Sequence, residues 1–439
     1  MGRSNGFKHL SPNDRTLMSY IANSDIQVQQ MLQTIGIDSI EELFSAIPTH
    51  LSRPSPSIDD GMSEYDGLKL MESLAAKNTF PFFDNYLGAG AYEHQIPAIT
   101  DAVISKSEFL TAYTPYQAEI SQGMLQAIFE FQSAICALTG LDAANASVYD
   151  GASACAEGAL MALRMSPERD KIACSDGLHP HYKAVIEQYL ESNGFSLVSL
   201  DSLDETVAGV LIQSPNFFGV LEDSEEIFKR AKKVGAYCIL CANPISYGLF
   251  KNAYEVGADI AVGECQPLGI PLLFGGPYAG CMACKKEFVR QLPGRIVGQT
   301  VDKNERRGYV LTLQAREQHI RREKATSNIC TNQALMMLAS FVTMLWYGPQ
   351  GLHDLALTNY QRAAYLKNGL RQLPGVYIED KEHFNEFVVR FPKAVSKAFY
   401  AASIAPGVEL DERTLLVAVT ETKSKEQLDR YLQVAKGAI

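Results

Sequence analysis

Apolar residues recur at spacings of three and four along residues 119–138, which is the repeat of an α-helix. One apolar stripe consists of Ile120, Met124, Ile128, Phe131, Ile135 and Leu138. A second stripe consists of Leu125, Phe129 and Cys136. Because the helix is apolar on two sides, we expect it to be deeply buried, and Gly140 is expected to end it.

Segments typical of strands and helices alternate from about residue 148 to residue 284. The strand-like segments are KIACS, FSLVSL, TVAGVLIQ, AYCILC, ADIAVGE and YAGCMAC. The helical segments are residues 153–165, HPHYKAVIEQYLESNG and SEEIFKRAKKVG, and a serine cap is expected to open the last. This order predicts an α/β fold with a mostly parallel sheet flanked by helices. The segment contains no GxGxxG or Walker loop, which disfavours a nucleotide-binding sheet.

The patterns divide the chain into three parts. Residues 1–75 are predicted to form an N-terminal helical arm and linker, with Gly36 as a helix cap and Ser39 and Glu42 as a capping box. Residues 76–325 are predicted to form the large α/β domain. Residues 326–439 are predicted to form a small α+β domain, with a helix over 328–373, strands in GVYIE, NEFVVRF and TLLVAVT, and a last helix in SKEQLDRYLQVAKGAI.

Composition narrows the choice of partners. The chain of 439 residues has a formal net charge of −11, which disfavours binding to nucleic acid. No apolar run reaches the roughly 20 residues that cross a bilayer, and the first residues lack an apolar signal core. We therefore expect a cytoplasmic protein that binds neither membrane nor nucleic acid.

Two CxxC pairs, Cys238 with Cys241 and Cys281 with Cys284, have a spacing seen in zinc sites. Both pairs fall in segments predicted to be strands, where residues three apart point to opposite faces. We therefore expect these thiols to lie in the core, and we predict no metal site.

Three glycine-rich or aromatic segments are candidates for chemistry, and each also has an ordinary structural interpretation. NYLGAGAYEHQIP (85–97) is either a ligand loop or a surface turn, and its polar residues are Tyr92, Glu93 and His94. TAYTPYQAEISQG (111–123) either faces a planar ligand or only leads into a helix, and its aromatic residues are Tyr113 and Tyr116. YDGASACAEG (149–158) is either an anion site at a helix N-terminus or a close-packed helix start.

Two further segments carry similar alternatives. The ring of His179 or His181, in DGLHPHY, either stacks on a cofactor or is structural. The basic run REQHIRREKATSN (316–328) is either a solvated helix or a surface for an anionic ligand or partner. The residues alone therefore indicate a large α/β protein with a candidate phosphate pocket.

Three long runs resemble the glycine decarboxylase P-protein family. They lie at residues 111–158, 258–280 and 294–335, and the arm with MLQTIG and ELFSAIP resembles the separate α chain of the two-subunit form. The resemblance implies the fold of aspartate-aminotransferase-like (fold-type I) pyridoxal-phosphate enzymes. It places Pro267 where the catalytic half of the family has its cofactor lysine, and Asn243 where an acid would pair with the pyridinium nitrogen. Proline has no amine, so we expect no covalent cofactor on this chain.

The resemblance also implies a shared function. Pyridoxal phosphate would be held by a β subunit in an α2β2 assembly, which decarboxylates glycine and transfers the aminomethyl group to the lipoyl arm of H-protein. Residues expected to complete the partner's site across the interface are Tyr92, Glu93, His94, Tyr113 and Tyr116. Residues expected to approach the cofactor phosphate from this side are Thr326, Ser327 and Asn328. The alternatives are a purely structural partner subunit, or an independent pyridoxal-phosphate decarboxylase or aminotransferase that uses another lysine such as Lys324.

Overall fold

The computed structural model describes residues 23–51, 61–78 and 84–439. The chain divides into two compact units, Met1–Asn78 and Thr79–Ile439. Within the described residues, no helix combines the length and the apolar character needed to cross a membrane.

The first unit contains the helices Asp25–Ile35 and Glu64–Ala75 and the 3₁₀ turns Ile40–Phe44 and Thr49–Leu51. Gly36 ends the first helix in the left-handed region, with φ of 85°, and a capping box joins Ser39 to Glu42. Both predicted caps are confirmed. They satisfy backbone groups that the ends of a helix leave without partners.

A seven-stranded sheet forms the centre of the second unit. Its strands are β1 (Ala143–Ala144), β2 (Lys171–Cys174), β3 (Ser196–Ser199), β4 (Val207–Gln213), β5 (Tyr237–Cys241), β6 (Ile260–Glu264) and β7 (Gly280–Cys284). The order across the sheet is β1-β7-β6-β5-β4-β2-β3. Strand β7 pairs antiparallel with both of its neighbours, β1 and β6, and the other four pairings are parallel. The predicted mostly parallel sheet is confirmed.

Each face of this sheet carries its own hydrophobic core. The helix Gln122–Thr139 packs on one face, and the helices Gly151–Met165 and Pro180–Glu191 pack on the other. The CxxC pairs divide between the faces as the strand geometry requires. One core contains Cys238 and Cys281, and the other contains Cys241 and Cys284.

The described residues of the second unit also form seven other α-helices. They are Ala98–Ile104, Ser107–Leu110, Ser224–Lys233, Gln318–Arg321, Ala334–Arg371, Ser396–Ala401 and Lys425–Ala438. The long helix bends at Gly348, whose φ of 59° and ψ of −177° are not helical, and Pro349 follows it. The helix Ser224–Lys233 is capped by Asp223, so the predicted serine cap is wrong: Ser224 is already the first helical residue.

A third core belongs to the C-terminal part of the chain. Here an antiparallel sheet joins Glu386–Arg390, Thr414–Ala418 and Val408–Asp411 in that order, and the helix Lys425–Ala438 contributes to the same core. The short strand Asp84–Asn85 pairs with Ile404–Ala405. The predicted strand in GVYIE is wrong, since only Tyr377 of that segment forms a bridge, to Arg390. An antiparallel hairpin, Ile296–Val301 with Arg307–Thr312, was not predicted.

Candidate functional site

A small cavity lies where the parallel strands of the central sheet reach their carboxyl ends, the edge at which such folds bind ligands. Cys241 and Glu264, the last residues of β5 and β6, line the cavity, and so do Asn243 and Pro267 from the segments that follow. The cavity volume is about 30 Å³. That is room for one or two water molecules, whereas pockets for small ligands measure about 300 Å³ or more.

The cavity lining lacks the groups that covalent cofactor chemistry requires. Pro267 faces the cavity, and none of the described residues that line it is a lysine or an arginine. Strand β5 ends at Cys241 and is followed by Ala242 and Asn243, so no acid stands there to pair with a pyridinium nitrogen. The side-chain oxygen of Asn243 instead accepts the backbone N–H of Ile245 at 3.0 Å. The residues present therefore do not fit pyridoxal phosphate.

The predicted anion site at the start of the helix Gly151–Met165 already holds a carboxyl group. The backbone N–H of Gly151 donates to Glu264 Oε2 at 2.9 Å, and the N–H of Gln266 donates to Glu264 Oε1 at 2.9 Å. The N–H of Ser153 donates to the side chain of Asp150 at 2.7 Å. Burial raises the pKa of Glu264 to about 8, although its N–H donors favour the ionised form.

His179 is held in one tautomer beside the cavity. Its Nδ1 accepts the backbone N–H of His181 at 3.1 Å, so the ring proton lies on Nε2, which donates to the carbonyl of Ala89 at 2.9 Å. Burial lowers the pKa of His179 below its ordinary value, which keeps the ring neutral. The ring stacks on Tyr182, with centroids 4.7 Å apart and an interplanar angle of 20°. Within this structure, the stacking partner of His179 is therefore another side chain.

Tyr92, one of the predicted site residues, points into the same cavity. Its hydroxyl donates to Glu386 Oε2 at 2.8 Å, and the backbone N–H of Ala89 donates to Glu386 Oε1 at 2.7 Å. Burial raises the pKa of Glu386 to about 7. A Cβ at Gly88 would lie 2.2 Å from Glu386 Oε1, so this glycine does permit a close approach. The group it approaches is a carboxyl of the same chain.

Glu93 and His94 are bound to the C-terminal part of the chain. Glu93 forms an ion pair with Lys423 at 2.8 Å, and Lys423 is only 4% exposed. His94 Nδ1 lies 2.8 Å from Glu421, whose other carboxyl oxygen accepts the backbone N–H of Gln95 at 2.6 Å. Burial favours a raised pKa for Glu421, but His94 and the N–H donor outweigh burial and hold that pKa below its usual value. The loop from Gly88 to Gln95 is therefore fixed by several polar contacts.

Tyr113 and Tyr116 lie at the surface, 73% and 52% exposed. The hydroxyl of Tyr116 accepts a hydrogen bond from the buried Arg295 at 3.3 Å, and His319 packs edge-on against the same ring. In contrast to Tyr92, Tyr113 therefore presents most of its ring to solvent.

Residues 326–328 are divided between internal and exposed positions. The hydroxyl of Ser327 donates to Glu157 Oε1 at 2.6 Å, and the backbone N–H of Thr326 donates to the carbonyl of Arg316 at 3.0 Å. Asn328 is exposed. Lys324, the alternative cofactor lysine, is exposed and does not line the cavity.

Sequence reasoning missed three residues that define the cavity: Tyr182, Glu264 and Glu386. No local pattern marks Glu264 as the partner of Gly151, because the two are 113 positions apart in the chain. Glu386 and Ala89 are 297 positions apart. Contacts of this range depend on the tertiary fold, which periodicity does not reveal.

Comparisons with known proteins give a consistent result. The sequence model of the family described as glycine cleavage system P-protein matches residues 18–435. A probable glycine dehydrogenase (decarboxylating) subunit 1 of Protochlamydia amoebophila is 59% identical over 95% of this chain and 99% of its own length. A crystal structure of glycine decarboxylase (P-protein) in inhibitor-bound form has a TM-score of 0.90 and 41% identity, over 96% of this chain and all of its own.

The fold likeness extends to more distant enzymes. A sphingosine-1-phosphate lyase of Burkholderia pseudomallei has a TM-score of 0.66 at 12% identity, over 88% of this chain and 93% of its own. With the other structural neighbours, this match confirms the predicted fold-type I architecture of pyridoxal-phosphate enzymes.

Proposed function

The chain belongs to the glycine cleavage system P-protein family, and from this premise we propose that it is the subunit of glycine decarboxylase that does not carry the cofactor. Pyridoxal phosphate would be held by a second subunit, in an α2β2 assembly. The observation that carries the proposal is the cavity lining, in which Pro267 faces the space and no described lining residue is a lysine. The assembled enzyme would decarboxylate glycine and pass the aminomethyl group to the lipoyl arm of H-protein.

The proposal is tested by comparing the full chain alone with the chain mixed with a second P-protein subunit. Pyridoxal phosphate retained after borohydride reduction and carbon dioxide released from glycine in the presence of lipoylated H-protein are both measured. We expect one equivalent of fixed cofactor and release of carbon dioxide only when the second subunit is present. Stoichiometric fixed cofactor together with decarboxylation in the isolated chain would contradict the proposal and favour an independent enzyme.

We further propose that the two tyrosine-bearing loops of this chain contribute to the partner's site. Tyr113 supports this because its ring is 73% exposed, free to face a second chain. Tyr92, Glu93 and His94 would act by holding the shape of their loop, since the Tyr92 hydroxyl, the Glu93 carboxylate and His94 Nδ1 are bonded within this chain. Thr326, Ser327 and Asn328 are retained as candidates to approach the partner's cofactor phosphate, and exposed Asn328 is the member with most freedom to do so.

The Tyr113→Ala variant separates this role from that of a purely structural subunit. We expect turnover of the mixed enzyme to fall by about tenfold while assembly with the second subunit is unchanged. Tyr377→Ala is the matched control, because Tyr377 is 64% exposed and lies on the C-terminal part of the chain. Equal turnover in both variants would favour the structural subunit.

A further inference from the structure

Among the residues that the structure describes, no lysine lines the cavity, and side chains of the same chain fill most of it. Each oxygen of Glu264 accepts at least one backbone N–H, from Gly151 on one side and from Gln266 on the other, both at 2.9 Å. A third N–H, that of Ala279, reaches Glu264 Oε1 at 3.3 Å. A phosphate at a helix N-terminus binds donors of this kind. Here Glu264 of the same chain already accepts the N–H of Gly151, the first residue of the helix Gly151–Met165.

A phosphate would also meet unfavourable charge. Asp150 is the N-cap of the same helix and accepts the N–H of Ser153 at 2.7 Å, so a second carboxyl lies at the start of this helix. Like charges held close together repel, and burial strengthens the effect. An anionic ligand would therefore have to displace Glu264 and then bind beside Asp150.

The side chain of Tyr182 takes the position beside His179 where the ring of a ligand could stack. Tyr182 stacks on His179 with centroids 4.7 Å apart, and it lines the cavity together with Glu264. A Cβ at Gly151 would lie 2.5 Å from the hydroxyl oxygen of Tyr182 and 2.9 Å from Glu264 Cβ. Both side chains thus pack against the start of the helix, and about 30 Å³ of the cavity remains.

We infer that Glu264 and Tyr182 occupy the space of an aromatic phosphate ligand, so that this chain is closed to pyridoxal phosphate by its own side chains. The inference rests on the proposed role of the chain as the subunit without cofactor. It adds the requirement that these side chains must be removed before the cofactor can bind. Restoring a lysine with Pro267→Lys is not sufficient, because the phosphate donors and the ring position stay occupied. Shortening Glu264 is the change that frees the donors.

The test uses the full chain in phosphate-free buffer with two probes. Inorganic phosphate probes the helix start. Pyridoxamine phosphate probes the whole cavity, and because it has no aldehyde it does not label surface lysines. Binding is measured by isothermal titration calorimetry for the unchanged chain, Glu264→Ala and Glu264→Gln, after circular dichroism has established that each is folded. Glu264→Gln is the control, since it keeps the side-chain volume.

We expect saturable phosphate binding by Glu264→Ala, at least about tenfold tighter than by the unchanged chain or by Glu264→Gln. A folded Glu264→Ala chain that binds phosphate no better than the unchanged chain would overturn the inference. If Glu264→Ala does not fold, Glu264→Ser replaces it, because its hydroxyl can still accept one of the N–H groups.

Two further results are independent of the Glu264 variants. Saturable binding of one pyridoxamine phosphate by the unchanged chain, reversed by inorganic phosphate, would overturn the inference while leaving the proposed function intact. One equivalent of cofactor fixed by borohydride in the Pro267→Lys variant, beyond the surface labelling of the unchanged chain, would also overturn it. The proposed function fails separately, if the unchanged chain alone fixes the cofactor and decarboxylates glycine.

Discussion

The carboxyl group of Glu386 joins the loop around Tyr92 to the C-terminal sheet, and its removal gives a measurable prediction. One oxygen accepts the N–H of Ala89 at 2.7 Å and the other accepts the hydroxyl of Tyr92 at 2.8 Å. Both Glu386 and Tyr92 are buried. In Glu386→Ala, the two donors lose their acceptor in a place that water reaches poorly.

The expected loss of stability follows from these contacts. A buried donor left without a partner costs about 1–3 kcal/mol. Part of this cost is offset because the variant also removes a buried carboxyl, whose pKa is raised to about 7 by that burial. We therefore expect Glu386→Ala to lower the free energy of unfolding by about 2–4 kcal/mol. Glu386→Gln should lose less, because its amide oxygen can still accept one of the two donors.

The assay is urea unfolding of the full chain, followed by circular dichroism at pH 6. Glu409→Ala is the matched control, since Glu409 is an exposed glutamate on the strand Val408–Asp411 of the same sheet. We expect the midpoint of the control to stay close to that of the unchanged chain. An equal midpoint for Glu386→Ala and Glu409→Ala would refute the reasoning, because the loop would then not depend on this carboxyl.

Two more outcomes can be checked by unfolding measurements. Gly219→Ala should lower the free energy of unfolding by about 3 kcal/mol or more, because φ is +81° and the new Cβ would lie 1.8 Å from the carbonyl oxygen of Glu386. Gly194→Ala is the control, since its φ is +78° but its Cβ would meet open space, and it should lose only about 1 kcal/mol. Equal losses in the two variants would contradict this reasoning. The pKa of Glu264 is raised to about 8 in the folded chain, against an ordinary value of 4.5. Between these pH values the folded chain therefore holds a proton that the unfolded chain has released. The contribution of Glu264 to the free energy of unfolding should then fall by about 1.4 kcal/mol per pH unit as the pH rises. Glu264→Gln should reduce the slope between pH 5.5 and 7.5 by about this amount, while Glu386, whose pKa is also raised, to about 7, still contributes a slope of the same sign. An unchanged slope would refute the assignment.

Local sequence signals predicted the elements whose cause is local. Gly140 ends its helix in the left-handed region with φ of 74°, as expected for a residue without a Cβ. The strands β4 to β6 were visible as short apolar runs, because strands buried on both faces need no polar alternation. The division of Cys238 from Cys241 across the sheet followed from the period of two along a strand.

The failures also have physical causes. The helix Ser224–Lys233 has Asp and Ser side by side at its start, and both are good caps, so the pattern alone does not select between them. The missed hairpin, Ile296–Val301 with Arg307–Thr312, has mixed burial along both strands, which weakens the period of two. The segment GVYIE has a strand-like composition, but only Tyr377 of that segment forms a bridge.

The candidate site shows a deeper limit of sequence reasoning. The segment 149–158 was correctly recognised as the start of a helix with free N–H donors, but donors of this kind do not identify their acceptor. In a buried position an open N–H group costs about 1–3 kcal/mol, so a chain that holds no ligand there has to provide an acceptor itself. Glu264 is that acceptor, and it lies 113 positions away from Gly151.

The same requirement explains the other occupants of the cavity. The ring of His179 is buried and neutral. A flat ring gains contact area when a second ring stacks on it, and Tyr182 is the residue that stacks on His179. The absence of a side chain at Gly88 lets the backbone of its loop lie close to Glu386, and the carboxyl group of Glu386 accepts the N–H of Ala89. The features at Gly88, Gly151 and His179 that predicted a ligand are present in the fold and have partners within the chain, whereas Tyr113 of the second candidate loop stays exposed. A sequence pattern can therefore identify the shape of a binding site, whereas its occupancy is decided by side chains that the pattern does not contain.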